Sequence, residues 1–192
     1  MKQKGKSIFL MSLVFLLLVY LVGDFLVNSS KEIIIQGFFT NDDYNFFPAS
    51  ELKKDYGSYL KIDDDKRINF EDGLYLELGS SKDYTTASSS KIMAYAASHE
   101  LDFLVLPKDL MLHYITGFAL ENLEEYTDSS LESELFYGED GNQEYKAVAI
   151  NMKTSKFVND DERGSEYYLI IPASSKRKAA VKTFLEYAFS IE

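Results

Sequence analysis

The sequence contains no cysteine and no tryptophan, and it has only three prolines and two histidines. Without cysteine, no disulfide can support the fold, and no lipid can be attached to a cysteine as it is in bacterial lipoproteins. His99 and His113 are not spaced as a His-Glu-x-x-His motif, so we expect no transition-metal site. A Gly-x-Ser-x-Gly nucleophile motif and a glycine-rich phosphate loop are also missing. We therefore predict no cofactor, no catalytic residues and no enzyme activity.

Positive charge is scarce as well. The chain has 20 Lys and Arg against 31 Asp and Glu, which gives a formal net charge of −11. An acidic surface of this kind repels nucleic acids and anionic lipid headgroups. We therefore exclude nucleic acid as a partner, and we interpret the acidic surface first as a source of solubility.

Two acidic runs invite comparison with calcium loops. They are Asp63-Asp64-Asp65 and Asn159-Asp160-Asp161-Glu162. Neither run has the glycine and the terminal glutamate of an EF-hand loop at the required spacing. We interpret both runs as solvated turns and predict no metal ligands in them.

One long hydrophobic run lies close to the first residue of the sequence. Ile8–Val27 is interrupted only by one serine, one glycine and one aspartate, and three lysines precede it. Its length matches the roughly 20 residues that a helix needs to cross a bilayer core. Positively charged flanks stay on the cytoplasmic side. The run therefore predicts a single transmembrane helix in the cell membrane, with residues 1–7 in the cytoplasm and residues 28–192 outside.

A cleaved signal peptide is the alternative for the same run. A signal peptide has a shorter apolar core and a cleavage site of small residues. No alanine lies near the end of the run, and Val27-Asn28-Ser29 is the best available site. These features favour the uncleaved anchor, but both alternatives stay open.

Residues 28–192 are numerous enough for one domain with a substantial core. The predicted strands are Lys31–Thr40, Leu101–Leu106, Lys146–Met152 and Tyr167–Ile171, together with a hairpin of Tyr59–Ile62 and Asn69–Leu78. The predicted helices begin at Pro48-Ala49-Ser50, cover Ala87–His99, run from Asp109 to Gly117, and run from Ser174 or Ser175 to about Ser190. The predicted loops are Gly79–Ser90 and Leu131–Glu144. This order predicts a mixed α/β sheet with helices over its faces.

Two stretches resemble a known family. The first is KIMAYAASHELDFLVLPKDLMLHYITGFALENLEEY (Lys91–Tyr126), and the second is YYLIIPASSKRKAAVKTFLEYAF (Tyr167–Phe189). The matching features of the first are the apolar strand, the cluster that follows it and a glycine-leucine segment, namely Leu101–Leu106, Pro107-Lys108-Asp109, and Gly117 with Leu120 and Leu123. Those of the second are Ile171-Pro172, Ser175-Lys176, Ala180, Phe184, Leu185 and Tyr187. Together these stretches resemble extracellular solute-binding proteins of ABC importers with a type II periplasmic-binding-protein fold.

The resemblance implies a fold and a function. The fold would be a three-layer α/β domain that resembles one lobe of such a protein, because the chain is too short for two lobes. The implied function is a single-pass membrane protein whose extracytoplasmic domain binds a small solute or a peptide, or assists a membrane transporter. The alternative is a non-catalytic envelope interaction protein that kept the fold and lost the ligand pocket.

Three short clusters are the candidate ligand-binding residues. Two of them follow predicted strands, where ligands bind in open α/β sheets, and they are Thr40-Asn41 and Pro107-Lys108-Asp109. The third is Ser174-Ser175-Lys176, at the predicted start of the last helix, where free backbone N–H groups can hold an anion. Solvated turn residues and an ordinary helix cap are the alternatives. Three tyrosines could stack in a cleft or pack in the core, and these are Tyr84, Tyr95 and Tyr114.

Overall fold

The computed structural model of the protein describes residues 11, 14–23, 30–164 and 166–189. Residues 14–23 are helical (α1), and residues 14–22 are exposed. Within these ranges, no helix combines the length and the apolar character that a membrane crossing requires. The remainder of the predicted segment Ile8–Val27 lies outside the described residues, so the anchor stays a prediction.

Residues 30–189 fold into a sheet with helices. The strands are β1 (Glu32–Thr40), β2 (Lys66–Leu74), β3 (Phe103–Pro107), β4 (Leu135–Glu139), β5 (Tyr145–Asn151) and β6 (Tyr167–Ile170). The helices are α2 (Ala49–Leu60), α3 (Asp83–Ala97), α4 (Lys108–Ile115) and α5 (Lys178–Ala188). The sheet has six strands in the order β2-β1-β3-β6-β5-β4.

The sheet is mixed. Strand β1 pairs in parallel with β2 on one side and with β3 on the other. Strand β6 is antiparallel to both β3 and β5, and β4 is antiparallel to β5. The carboxyl ends of β1, β2 and β3 therefore meet at one edge of the sheet, and β6 begins at that same edge.

Alternating side chains of the central strands divide the core into two layers. On one face, Ile35 and Phe39 of β1 pack in a cluster with residues of α2 and α5. On the other face, Phe38 packs in a second cluster with residues of α3 and α4. A strand that is covered on both faces is apolar at nearly every position. The sheet is therefore the middle of three layers, and the prediction of an α/β class with a mixed sheet is confirmed.

The predicted hairpin of Tyr59–Ile62 with Asn69–Leu78 is wrong. Helix α2 continues to Leu60 and ends at Lys61, whose φ of 52° lies in the left-handed region. Strand β2 then runs parallel to β1 and not back along the preceding segment. A parallel pair needs a crossover connection, and α2 provides it.

Two predicted loops are also partly regular structure. Helix α3 begins at Asp83, inside the predicted loop Gly79–Ser90. Strand β4 (Leu135–Glu139) lies inside the predicted loop Leu131–Glu144 and forms the edge of the sheet. Both segments are rich in polar residues and only partly buried, so their hydrophobic periodicity is weak.

Candidate binding cleft at the sheet edge

The connections that leave β1 and β3 diverge. After β1 the chain crosses to α2 on one face of the sheet, and after β3 it enters α4 on the other face. Two adjacent parallel strands with diverging connections leave a crevice beyond their carboxyl ends, where ligands of open α/β proteins bind. The topology therefore places a crevice beside Thr40 and Pro107.

A cavity of about 540 Å³ lies at this position, and we call it the cleft. Binding pockets for small molecules measure roughly 300–1,000 Å³. Its walls come from the segments after β1, β2 and β3 and from the segment that leads into β6. The residues with polar or aromatic side chains are Asn41, Asp43, Tyr44, Tyr75, Glu77, Asp109, Arg163, Glu166 and Tyr167.

A second cavity of about 440 Å³ adjoins the cleft, and we call it the hydroxyl pocket. The two cavities share Leu76, Glu77, Leu78 and Leu110 as wall residues. Beyond them, the wall of the hydroxyl pocket is formed by Gly79 and Ser80, by hydroxyl side chains of α3 and by two residues of α4, the last two groups being Thr85, Thr86, Ser89, Ser90, His113 and Tyr114. The Oγ1 atom of Thr85 is buried and has no hydrogen-bond partner among the described residues.

The two polar side chains at the end of β1 are used within the fold. The buried Thr40 Oγ1 donates a hydrogen bond to the carbonyl oxygen of Val105 at 3.3 Å. The amide of Asn41 donates to the carbonyl oxygen of Leu76 at 2.8 Å and accepts from the Leu76 N–H at 2.9 Å. Asn41 therefore ties the end of β1 to the segment after β2, and it contacts the cleft as a wall residue.

Two residues of the predicted cluster after β3 border the cleft. Pro107 and Asp109 are wall residues. The Nζ atom of Lys108 lies 3.3 Å from an Oε atom of Glu166, on the segment that leads into β6. The Lys108 N–H also donates to the Glu166 carbonyl oxygen at 2.8 Å. These two contacts join the β3–α4 connection to the opposite wall of the cleft.

The third predicted cluster, Ser174-Ser175-Lys176, lies at the opposite edge of the sheet. Strand β6 runs antiparallel to β3, so the residues that follow β6 lie near the start of β3. The buried Ser175 Oγ donates to Asp102 Oδ1 at 2.8 Å, and Lys176 Nζ lies 3.4 Å from a carboxylate oxygen of Glu100.

Ser174 and Ser175 do not cap the last helix, so that expectation is wrong. Helix α5 begins at Lys178, directly after Arg177. The Ser174 Oγ donates to the carbonyl oxygen of Ala96 at 3.1 Å. Both serines instead hold the chain between β6 and α5 against the end of α3 and the start of β3.

The three predicted cleft tyrosines have different positions. Tyr114 contacts the hydroxyl pocket. Tyr95 packs against the buried ring of Phe38, with 5.1 Å between the ring centroids. Tyr84 is 48% exposed, and its edge-on neighbour Tyr75 is the ring that contacts the cleft.

Sequence reasoning missed the cleft residues that come from other parts of the chain. Tyr44 lies in the segment after β1, and Arg163 and Glu166 lie in the connection between β5 and β6, which leads to Tyr167 at the start of β6. The one signal for these residues is the position of Tyr167 at the start of a predicted strand. The sequence does not reveal the direction of that strand in the sheet, so it does not place Tyr167 at the edge where the cleft lies.

Local electrostatics shift the pKa of two groups at the cleft wall. Burial, together with the nearby carboxylates of Asp42 and Asp43, raises the pKa of Tyr167 to about 12, so its hydroxyl stays protonated. This hydroxyl donates to the carbonyl oxygen of Asn41. The pKa of Glu77 is lowered by a hydrogen bond and ion pair with Lys82, at 2.9 Å.

The described residues contain no group of three or more His, Asp or Glu side chains placed to hold a metal ion.

A comparison of the chain with protein-family models gave no match. Comparisons with curated proteins and with solved structures also gave no significant match. The resemblance to solute-binding proteins therefore stays a hypothesis that rests on the two sequence stretches.

Proposed function

We propose that this chain is a non-catalytic binding protein whose α/β domain takes a small solute or part of a peptide into the cleft. The observation that carries this proposal is the position of the cleft beyond the diverging carboxyl ends of β1 and β3. Its volume suits a small molecule, and its walls combine tyrosine rings with carboxylates and one guanidinium. Assistance to a membrane transporter is the cellular role that the sequence resemblance implies.

The arrangement of the two resembling stretches supports this proposal. Lys91–Tyr126 contains β3 and α4, and Tyr167–Phe189 contains β6 and α5. Strands β3 and β6 are paired neighbours in the sheet. The two stretches therefore form one continuous part of the domain, as expected if both descend from one lobe of a type II solute-binding protein.

The second candidate is an envelope interaction protein that kept the fold and lost ligand binding. The hydrogen bonds of Asn41 favour it, because both polar ends of this side chain are already satisfied by Leu76. A cleft with fewer free polar groups gives a ligand fewer specific contacts. In this case the partner would be another membrane or envelope protein.

A tryptophan reporter distinguishes the two candidates. The natural chain has no tryptophan, so Leu78→Trp places the only indole at the wall shared by the cleft and the hydroxyl pocket. Leu112→Trp is the matched control, because Leu112 is 43% exposed and Leu78 is 49% exposed, and Leu112 does not contact either cavity. Both variants of the full chain, purified in detergent, are titrated with sugars, amino acids and short peptides while tryptophan emission is recorded.

Saturable changes in the emission of Leu78→Trp, with none in Leu112→Trp, support binding in the cleft. A thermal shift of the natural chain with the same compound provides an independent check, because a ligand that binds only the folded state raises the melting temperature. If no compound class changes either signal, the binding proposal fails and the interaction protein becomes the better hypothesis.

The proposed anchor has its own test. We propose that Ile8–Val27 spans the membrane and that residues 28–192 lie outside the cell. The full chain should stay in the membrane pellet after an alkaline wash, and external protease should degrade the domain in intact cells. Leu16→Lys with Leu17→Lys should reduce membrane retention, because each lysine at a helix centre costs about 2.5–3.5 kcal/mol on insertion. Release of a shortened chain would identify a cleaved signal peptide instead.

A further inference from the structure

Two partly exposed tyrosine rings, Tyr44 and Tyr75, line the cleft, and a cation of the chain already lies beside Tyr44. Tyr44 is 53% exposed and Tyr75 is 42% exposed. The guanidinium carbon of Arg163 lies 5.3 Å from the Tyr44 ring centroid. The Nζ atom of Lys82 lies 5.7 Å from the Tyr84 ring centroid, and Tyr84 packs edge-on against Tyr75. Tyr75 has no such cation within the part of the chain that the structure describes.

The charges at the cleft wall are mostly negative. Four carboxylates and a single guanidinium contact it, and they belong to Asp43, Glu77, Asp109, Glu166 and Arg163. Glu77 is paired with Lys82 at 2.9 Å, and Glu166 is paired with Lys108 at 3.3 Å. No described residue forms an ion pair with Asp43 or Asp109. The cleft therefore keeps two uncompensated carboxylates.

These features disfavour an anionic ligand. The guanidinium of Arg163 is the cation at the wall, and it is already paired with Asp161, with 2.6 Å between Nη2 and Oδ2. An anion would have to break this pair and approach Asp43 and Asp109. The acidic chain as a whole also attracts cations toward the cleft.

A neutral, hydrogen-bonding ligand would find few free polar groups in the cleft. The Asn41 amide is committed to Leu76, and the Tyr167 hydroxyl donates to the Asn41 carbonyl oxygen. The partly exposed Tyr75 ring lines the same cleft as the Asp43 and Asp109 carboxylates, and this combination suits a different chemistry. A cation with an apolar shell is attracted to the ring quadrupole and to the carboxylate charges at the same time.

We propose that the cleft binds a small organic cation, such as an alkylammonium group, at the Tyr75 ring with Asp43 and Asp109 as counter-charges. This inference rests on the proposed function, because it requires that the cleft binds a solute. It identifies the ligand class that the sequence resemblance leaves open.

The test compares choline with its uncharged isostere, in which a quaternary carbon replaces the nitrogen. Binding to the full chain in detergent is measured by saturation-transfer NMR on the ligand methyl protons, with acetate and glucose as anionic and neutral probes. We expect choline to bind at least about tenfold more tightly than the isostere, and addition of salt to weaken it. Equal binding of choline and the isostere, or preferred binding of acetate, would overturn the inference.

Three variants test the proposed contacts. Tyr75→Leu should weaken choline binding about two- to fivefold, the range for one cation–ring contact at an exposed site. Asp109→Asn should weaken it and reduce its dependence on salt. Asp64→Asn is the matched control, because Asp64 lies in the turn before β2 at the opposite edge of the sheet and should leave binding unchanged.

Arg163→Gln gives an outcome of opposite sign for cations and anions. Removal of the guanidinium should strengthen choline binding, because it removes a like charge and frees a face of Tyr44. A loss of choline binding in this variant would contradict the inference.

If glucose or acetate binds and the cleft variants change its affinity, the choice of an organic cation fails and the proposed function stands. If no probe binds, the choice of an organic cation fails, and the tryptophan titration with amino acids and short peptides decides the proposed function.

Discussion

Asp102 and Arg177, which are 75 positions apart in the chain, form an ion pair in which Arg177 Nε lies 2.7 Å from Asp102 Oδ2. The Asp102 side chain is fully buried and lies directly before β3. Its carboxylate also accepts hydrogen bonds from the Gln36 N–H at 2.7 Å and from Ser175 Oγ at 2.8 Å. One carboxylate therefore connects β1, β3 and the segment that precedes α5.

Removal of either partner should destabilise the domain strongly. We expect Asp102→Ala to lower the free energy of unfolding by about 3–5 kcal/mol, because it leaves buried donors without a partner. Arg177→Met should also be strongly destabilising, and the double variant should lose less than the sum of the two single losses. Urea denaturation followed by far-ultraviolet circular dichroism measures these changes.

The control for this pair is an exposed one. Lys66 and Asp63 form an ion pair of 3.4 Å whose side chains are 38% and 76% exposed. Lys66→Met should change the free energy of unfolding by less than about 1 kcal/mol. Equal effects of Arg177→Met and Lys66→Met would show that the buried pair has no special role.

Gly37 and Phe103 form a second close relationship across the paired strands β1 and β3. A Cβ atom on Gly37 would lie 2.0 Å from the Cζ atom of Phe103. The Phe103 ring is fully buried and stacked on Phe184 at 4.6 Å, so it has no space to move away. Gly37→Ala should therefore destabilise the domain by about 1–3 kcal/mol, the usual cost of overpacking a core.

Two further variants make the Gly37→Ala result specific. Phe103→Leu should reduce the cost of Gly37→Ala, so the double variant should be more stable than the sum of the single effects predicts. Gly57→Ala is the control within a helix, because its Cβ would make only an ordinary contact of 3.4 Å with Ile62. It should stabilise α2 by up to about 1 kcal/mol. Denaturation curves that show no gain from Phe103→Leu would contradict this account.

The sequence predicts the centre of this fold better than its periphery. β1 and β3 are covered on both faces, so both appear as continuous apolar runs and both were predicted. Strand β4 is short and only partly buried, and its pattern does not differ from that of a polar loop. Lys61, which follows the end of α2, is not the glycine or asparagine that usually marks a left-handed helix end, so the sequence predicts a strand at Tyr59–Ile62 instead.

The residues of the candidate site also divide into those that the sequence could place and those that it could not. Asn41 directly follows β1 and Asp109 lies two residues after the end of β3, so both could be placed at the carboxyl ends of strands. Ser175 was assigned to a ligand site, but the antiparallel direction of β6 takes it to the other edge of the sheet. Strand direction depends on contacts between distant segments. Tyr75 follows β2, which the sequence predicts as one arm of a hairpin, and Arg163 lies in a short 3-10 turn between β5 and β6 that carries no sequence signal for a cleft.

Asn41 should maintain the shape of the cleft. Its φ of 54° lies in the left-handed region, which glycine also tolerates, so Asn41→Gly removes the amide without adding backbone strain. The variant loses two hydrogen bonds to Leu76 and should be destabilised by about 1–3 kcal/mol.

The exposed Asn45 is the matched control for Asn41. It has a φ of 57°. Asn45→Gly should have almost no effect on the denaturation midpoint. If the midpoint falls equally in both variants, backbone freedom and not the amide contacts of Asn41 would explain the loss.

Asp140 should make part of the stability depend on acid pH. Its buried carboxylate accepts hydrogen bonds from the Leu120 N–H at 2.9 Å and the Glu144 N–H at 3.1 Å, and it lies 3.0 Å from Lys146 Nζ. Burial alone would raise the pKa of Asp140, but these contacts outweigh it and lower the pKa from 3.8 to about 2. The charged form is therefore the one that the fold stabilises.

The sign of the pH effect follows from this lowered pKa. The contribution of Asp140 is complete above its ordinary pKa of 3.8 and is lost as the pH falls toward about 2. A shift of this size corresponds to about 2 kcal/mol.

Asp140→Asn should lower the free energy of unfolding by about that amount at neutral pH. As the pH falls from about 4 to about 2, the variant should lose less stability than the natural chain. Urea denaturation at several pH values tests this, with the exposed Asp64→Asn as control. Parallel pH curves for Asp140→Asn and the natural chain would show that Asp140 does not cause the acid dependence.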